Sequence, residues 1–112
     1  MRWFLMVALS CLFCGAAYAQ GVANLYDIDF VRVDPTGKGY VKFTTNLGGT
    51  PAACGTNYPA GLGFDTNTGG GQAILAAVLS AQASGKKIYA KGSAACTSYN
   101  VIEDWSWGYI KS

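Results

Sequence analysis

Only one stretch of this chain repeats its apolar residues at helical spacing, and the other patterned stretches alternate. That stretch, about Gly71 to Ser84, puts Ile74, Leu75, Val78 and Leu79 on one stripe, with Thr68 or a nearby glycine as its N-cap. Gly85 stands where a helix ends in the left-handed conformation, and Lys86 and Lys87 follow at the favourable end of the dipole. The runs Val22–Val33, Tyr40–Leu47, Gly61–Thr66, Lys87–Lys91 and Val101–Ile110 are rich in β-branched and aromatic residues and read as strands. Asp34–Gly39 joins the first two as a hairpin turn, because Pro35 presets φ and two glycines accept positive φ. In the first strand Tyr26, Ile28 and Phe30 alternate against Asp27 and Asp29. The alternation slips at Val31 and Val33, which predicts a bulge or a strand buried differently at its two ends.

The order is therefore βββ-α-ββ, mainly β with one helix. A five-stranded, partly open barrel with its helix between the third and fourth strands, the order of the OB-fold, matches this string. A two-layer arrangement with one helix on a sheet face matches it too. The barrel is favoured because a single helix cannot cover both faces of a five-stranded sheet.

Met1–Ala19 reads as a secretory signal peptide. Arg2 is its positive end, Trp3–Cys14 its apolar run, and Ala17-Tyr18-Ala19 a small-x-small cleavage site, with cleavage between Ala19 and Gln20. The run is shorter than the roughly 20 residues a bilayer requires, so no stable membrane insertion is expected after cleavage. Residues 20–112 then form a single domain in the periplasm or the medium. Removal of the leader takes Cys11 and Cys14 with it and lowers the formal net charge of +2 by one. Cys54 and Cys96 are left as a lone pair in an oxidising compartment, which predicts one disulfide. In the chain-entropy picture it contributes about 4 kcal/mol. The competing reading, a redox-active thiol pair, lacks the C-x-x-C spacing.

The chain has no histidine among its 112 residues. That removes Ser-His-Asp and Cys-His catalysis, histidine-ligated metals and the usual near-neutral base. A non-enzymatic protein with no catalytic residue, no metal and no cofactor is expected. Asp27 and Asp29 form a carboxylate pair of the kind used in glycoside hydrolysis or calcium binding, but alternating acids on a half-buried strand are ordinarily solubilising. Glu103 and Asp104 read as the solvated start of the last strand. Asp34–Gly39 lacks the later acidic positions of a calcium loop, and Gly69-Gly70-Gly71 lacks the spacing and lysine of a phosphate loop. The basic residues Arg32, Lys38, Lys42, Lys86, Lys87, Lys91 and Lys111 are nearly balanced by 6 acids, so no nucleic-acid partner is expected.

The candidate binding residues are Trp105, Trp107 and Tyr109. At i, i+2 and i+4 of a strand they share one face, and rings in a row can stack on sugars. The competing reading places them in the barrel core.

The alanine-rich helix, followed by Ser84-Gly85-Lys86-Lys87-Ile88-Tyr89-Ala90-Lys91-Gly92, a cysteine and a closing strand after Glu103, resembles a group of small exported bacterial proteins. That group is similar to the B subunit of subtilase cytotoxin and, more distantly, to pertussis-type toxin B subunits. The resemblance covers Phe64 to Ile110 and the Cys54 and Cys96 pair. It implies an OB-fold subunit that binds cell-surface glycans and assembles into a ring of five, although no sugar-binding residue carries over onto this chain. The leading expectation is an exported module that binds a glycan or another protein. The alternative is a periplasmic or extracellular interaction or structural protein that docks through a sheet edge or helix face.

Overall fold

A computed structural model describes residues 19–112. The leader expected at Met1–Ala19 therefore lies, Ala19 excepted, outside the described residues. The chain is mostly β with one helix: β1 (Gly21–Tyr26), β2 (Ile28–Val33), β3 (Lys38–Phe43), β4 (Gly48–Gly49), β5 (Gly61–Asp65), α1 (Gly69–Ser84), β6 (Lys87–Gly92) and β7 (Trp105–Lys111). Two antiparallel sheets result, one ordered β4-β1-β6-β7 and the other β2-β3-β5. Among the described residues no continuous ladder closes them into one barrel. They meet at an isolated parallel bridge between Gly63 and Asp104.

The slip read in the first strand is a change of sheet. Leu25 sits at positive φ (57°), the pairing of β1 with β6 shifts between Asn24 and Tyr26, and the pairing of β2 with β3 shifts again between Ile28 and Phe30. Tyr26 and Ile28 stay against the core, but the second shift turns Phe30 outward to 37% exposure, against its expected place beside them.

The helix has the caps its sequence calls for. Thr68 is the N-cap, its hydroxyl accepting from the Gly71 N–H at 2.9 Å, and Gly85 closes the other end at φ 67°. The buried stripe runs through Gly71, Val78 and Ala81, with Ile74 and Leu75 packed beside the core. Leu79, expected on that stripe, is 46% exposed, because 100° per residue carries it past the contact line. The core itself joins Ala23, Val41, Phe43, Leu47, Leu62 and Ile88, with Val78 and Ala81 from the helix.

Cys54 and Cys96 form the disulfide, joining a short 3₁₀ turn (Ala53–Gly55) to the segment between β6 and β7. Beside it lies the largest departure from the sequence reading. Glu103 and Asp104 are not a solvated strand start; they are 1% and 9% exposed, and β7 begins only after them. The Glu103 carboxylate accepts from the backbone N–H groups of Gly21 (3.0 Å), Ala52 (2.8 Å) and Ala94 (3.2 Å). Asp104 accepts from the N–H of Thr97 (3.2 Å) and of Ser98 (3.1 Å) and from the Thr97 hydroxyl. Donors so placed satisfy two buried carboxylates that would otherwise be strongly destabilising. Gly92 belongs to the same device, since a Cβ there would collide with the Glu103 carboxylate.

Candidate functional site

The outer face of β2 and β3, together with the turn that leads into β5, forms a recess of about 420 Å³ lined by Phe30, Tyr40, Lys42, Asn46, Asn57, Tyr58 and the backbone near Gly61. Tyr40 and Lys42 are at i and i+2 on β3, so they project together away from the core residues Val41 and Phe43. Phe30 reaches the same face through the pairing shift, opposite Lys42 in register. One wall comes from the turn that leads into β5, Asn57 to Gly61.

Tyr40 is the hub of the recess. Its ring meets Phe30 at 5.7 Å, Tyr58 at 6.1 Å and Tyr99 at 5.9 Å, each pair edge to face. Such pairs fix ring orientation. Tyr40 itself is buried, whereas Phe30 and Tyr58 keep exposed surface at 37% and 42%. The amides of Asn46 and Asn57 add donors and acceptors at the rim. Lys42 lies 5.5 Å over the Phe30 ring and pairs with Asp29 at 3.2 Å.

At the far side of Tyr40, Asp34 ties the hairpin turn to the disulfide-bearing segment. It accepts from the Tyr99 hydroxyl and from Arg32 Nε at 2.8 Å. These two donors, Tyr99 first, hold the Asp34 carboxyl below its ordinary value of 3.8. Burial, reinforced by the Asp34 acceptor, pushes the Tyr99 phenol upward.

The residues singled out in the sequence fall elsewhere, and they do not share one face. Trp107 and Tyr109 stand on the outer face of the four-stranded sheet, each 49% exposed. Trp105 turns inward, because the β6–β7 pairing shifts between Lys91 and Gly92. Its indole lies over Gly108, where a Cβ would come within 2.6 Å of it. Asp27 and Asp29 each form an ion pair, with Lys87 at 3.1 Å and Lys42 at 3.2 Å. Among the described residues no group of three or more His, Cys, Asp or Glu side chains is arranged to hold a metal. Ala19 and Gln20, the expected cleavage pair, lead directly into β1, where the Gln20 carbonyl accepts from the Thr50 N–H at 3.1 Å.

Sequence reading missed the recess. Its visible signal was the i, i+2 placement of Tyr40 and Lys42; the contributions of Phe30 and Tyr58 depend on a bulge and on a loop. In comparison with known proteins, no family model matches the chain, and no curated protein or solved structure is significantly similar to it.

Proposed function

We propose that the chain is an exported, non-enzymatic binding domain that recognises a glycan in the Tyr40 recess. The observation that carries this reading is the grouping of three aromatic rings, two asparagine amides and a lysine in one concavity. A pyranose offers C–H bonds to a ring face and hydroxyls to amides, and concave sites of mixed apolar and polar lining suit such ligands. Binding rather than hydrolysis is supported by the engagement of every carboxylate in ion pairs or hydrogen bonds. Export is consistent with the disulfide. No helix among the described residues is long and apolar enough to cross a membrane.

The OB-like barrel belongs to this proposal. It is supported by a bent first strand, β1 and β2, that serves both sheets, by the place of α1 between β5 and β6, and by the parallel bridge from Gly63 to Asp104. On this reading the likeness to toxin B subunits implies a ring of five copies, which the mass of the native particle tests. A glycan array with residues 20–112 tests the function. We expect binding that Phe30→Ala and Tyr58→Ala abolish and Trp107→Ala leaves intact. An array with no bound glycan, or loss confined to Trp107→Ala, overturns it.

A further inference from the structure

We infer that the outer face of the four-stranded sheet, where Tyr89, Trp107 and Tyr109 stand among Lys87, Lys91 and Lys111, docks on an anionic lipid bilayer surface. Register sets this face: Lys91 lies opposite Trp107, Tyr89 opposite Tyr109 and Lys87 opposite Lys111, while the intervening Ile88 and Ala90 are fully buried on the other side. The Tyr89 and Tyr109 rings stack across the strands with centroids 5.2 Å apart and planes 14° apart, and Trp107 leans on Tyr89 at 5.6 Å. Stacked in this way, Tyr89 and Tyr109 turn their faces toward each other. Flat stacking on a sugar needs an open ring face, whereas rings with an apolar body and a polar tip partition into the headgroup layer of a bilayer.

Charge selects the kind of surface. Asp27, Asp29 and Asp34 are consumed in ion pairs with Lys87, Lys42 and Arg32. Glu103 and Asp104 are buried, and Asp65 accepts from the backbone and side chain of Asn67. Among the described residues Lys38, Lys86, Lys91 and Lys111 make no ion pair, and all but Lys38 lie on β6, on β7 or just before β6. Lys87 stands directly opposite Lys111 and is already paired with Asp27 at 3.1 Å, which leaves the Lys111 ammonium as the free charge of that pair. A second copy of the chain has no free acidic patch to set against these lysines, and two copies of this face would repel. A phospholipid headgroup layer supplies both the phosphates and the interfacial medium for the rings. The docking is peripheral, reversible and salt-sensitive.

Residues 20–112, which contain every described element and the disulfide, are the material for the test, because the apolar leader would itself bind lipid. Sedimentation with vesicles of phosphatidylcholine containing phosphatidylglycerol is compared with sedimentation with phosphatidylcholine alone. We expect co-sedimentation with the anionic vesicles only, lost in high salt, with a blue shift of tryptophan fluorescence. Lys91→Gln and Lys111→Gln should each weaken it about fivefold, and together on the order of 25-fold. Trp107→Ala should weaken it and remove the blue shift, and Phe30→Ala should leave it unchanged, which separates this face from the glycan recess. Absence of co-sedimentation, or undiminished co-sedimentation of the double lysine variant, overturns the inference. Retention on an immobilised sulfated polysaccharide without vesicle binding also overturns it, in favour of a soluble polyanion.

Discussion

The outer faces of the two sheets hold nearly the same ingredients and arrange them differently. Each carries a cluster of rings and at least one lysine. On β2 and β3 the rings meet edge to face around a buried Tyr40, the lysine is paired with Asp29, and a loop raises a wall to make a recess. On β6 and β7 the rings stack side by side, two of the three lysines are unpaired among the described residues, and Trp107 and Tyr109 stay 49% exposed. The difference comes from what lies over each sheet. The disulfide and Glu103 draw the loop around Ala52 and the segment before β7 toward each other beside the first face, and among the described residues no such tie reaches the second. Composition therefore does not distinguish a recess for a compact ligand from a platform for an extended surface; the covering loops do.

Four measurements sharpen or break that contrast. The largest effect is expected for Glu103→Ala, which strands three backbone donors, two of them buried, and should cost roughly 5 kcal/mol in urea denaturation. Next, replacing both Cys54 and Cys96 by serine should cost about 4 kcal/mol. In hydrogen exchange the loss should concentrate in the loop around Ala52 and the segment before β7, with the amides shared by β6 and β7 still protected; uniform loss across both faces would erase the distinction between them.

The hub rings come third. Tyr40→Ala should destabilise by about 3 kcal/mol, because it removes a buried ring with three aromatic neighbours. Tyr89→Ala should cost only about 1 kcal/mol, since it loses stacking on an open face. Equal costs would mean that both clusters are structural. The smallest effect is electrostatic. A carboxylate whose folded pKa is depressed adds stability that is complete above the unfolded value, 3.8 for Asp34, and is lost as pH falls through the lower folded value. Tyr99→Phe removes the principal donor, so the Asp34 carboxyl should titrate closer to its ordinary value. The Asp34 Cγ shift followed by NMR reads this directly, and an unchanged midpoint would show that Arg32 alone holds the group.

Local features of the fold were legible because their causes are local. The limits of α1 follow from Thr68, Gly85 and 3.6-residue spacing, and the hairpin follows from Pro35 and its glycines. Of the recess, only Tyr40 and Lys42 carried a readable signal. Phe30 was hidden by a bulge that inverts the strand's alternation, and Trp105 was misplaced by the same kind of shift. Glu103 read as solvent-facing because an acid beside an acid usually is. Its three donors come from Gly21, Ala52 and Ala94, and no window of neighbouring residues contains them.

By itself, then, the sequence determined a mainly β chain, the one helix with its caps, and the disulfide between Cys54 and Cys96. Each follows from spacing, cap chemistry or counting. The sequence did not show that the first run splits into β1 and β2 or that β4 exists. Only the tertiary structure decided which way the bent first strand presents its residues, that Glu103 and Asp104 go inside, and that two aromatic clusters face outward from different sheets. These outcomes depend on bulges, each of which reverses a period-two pattern, and on backbone donors brought together from distant parts of the chain.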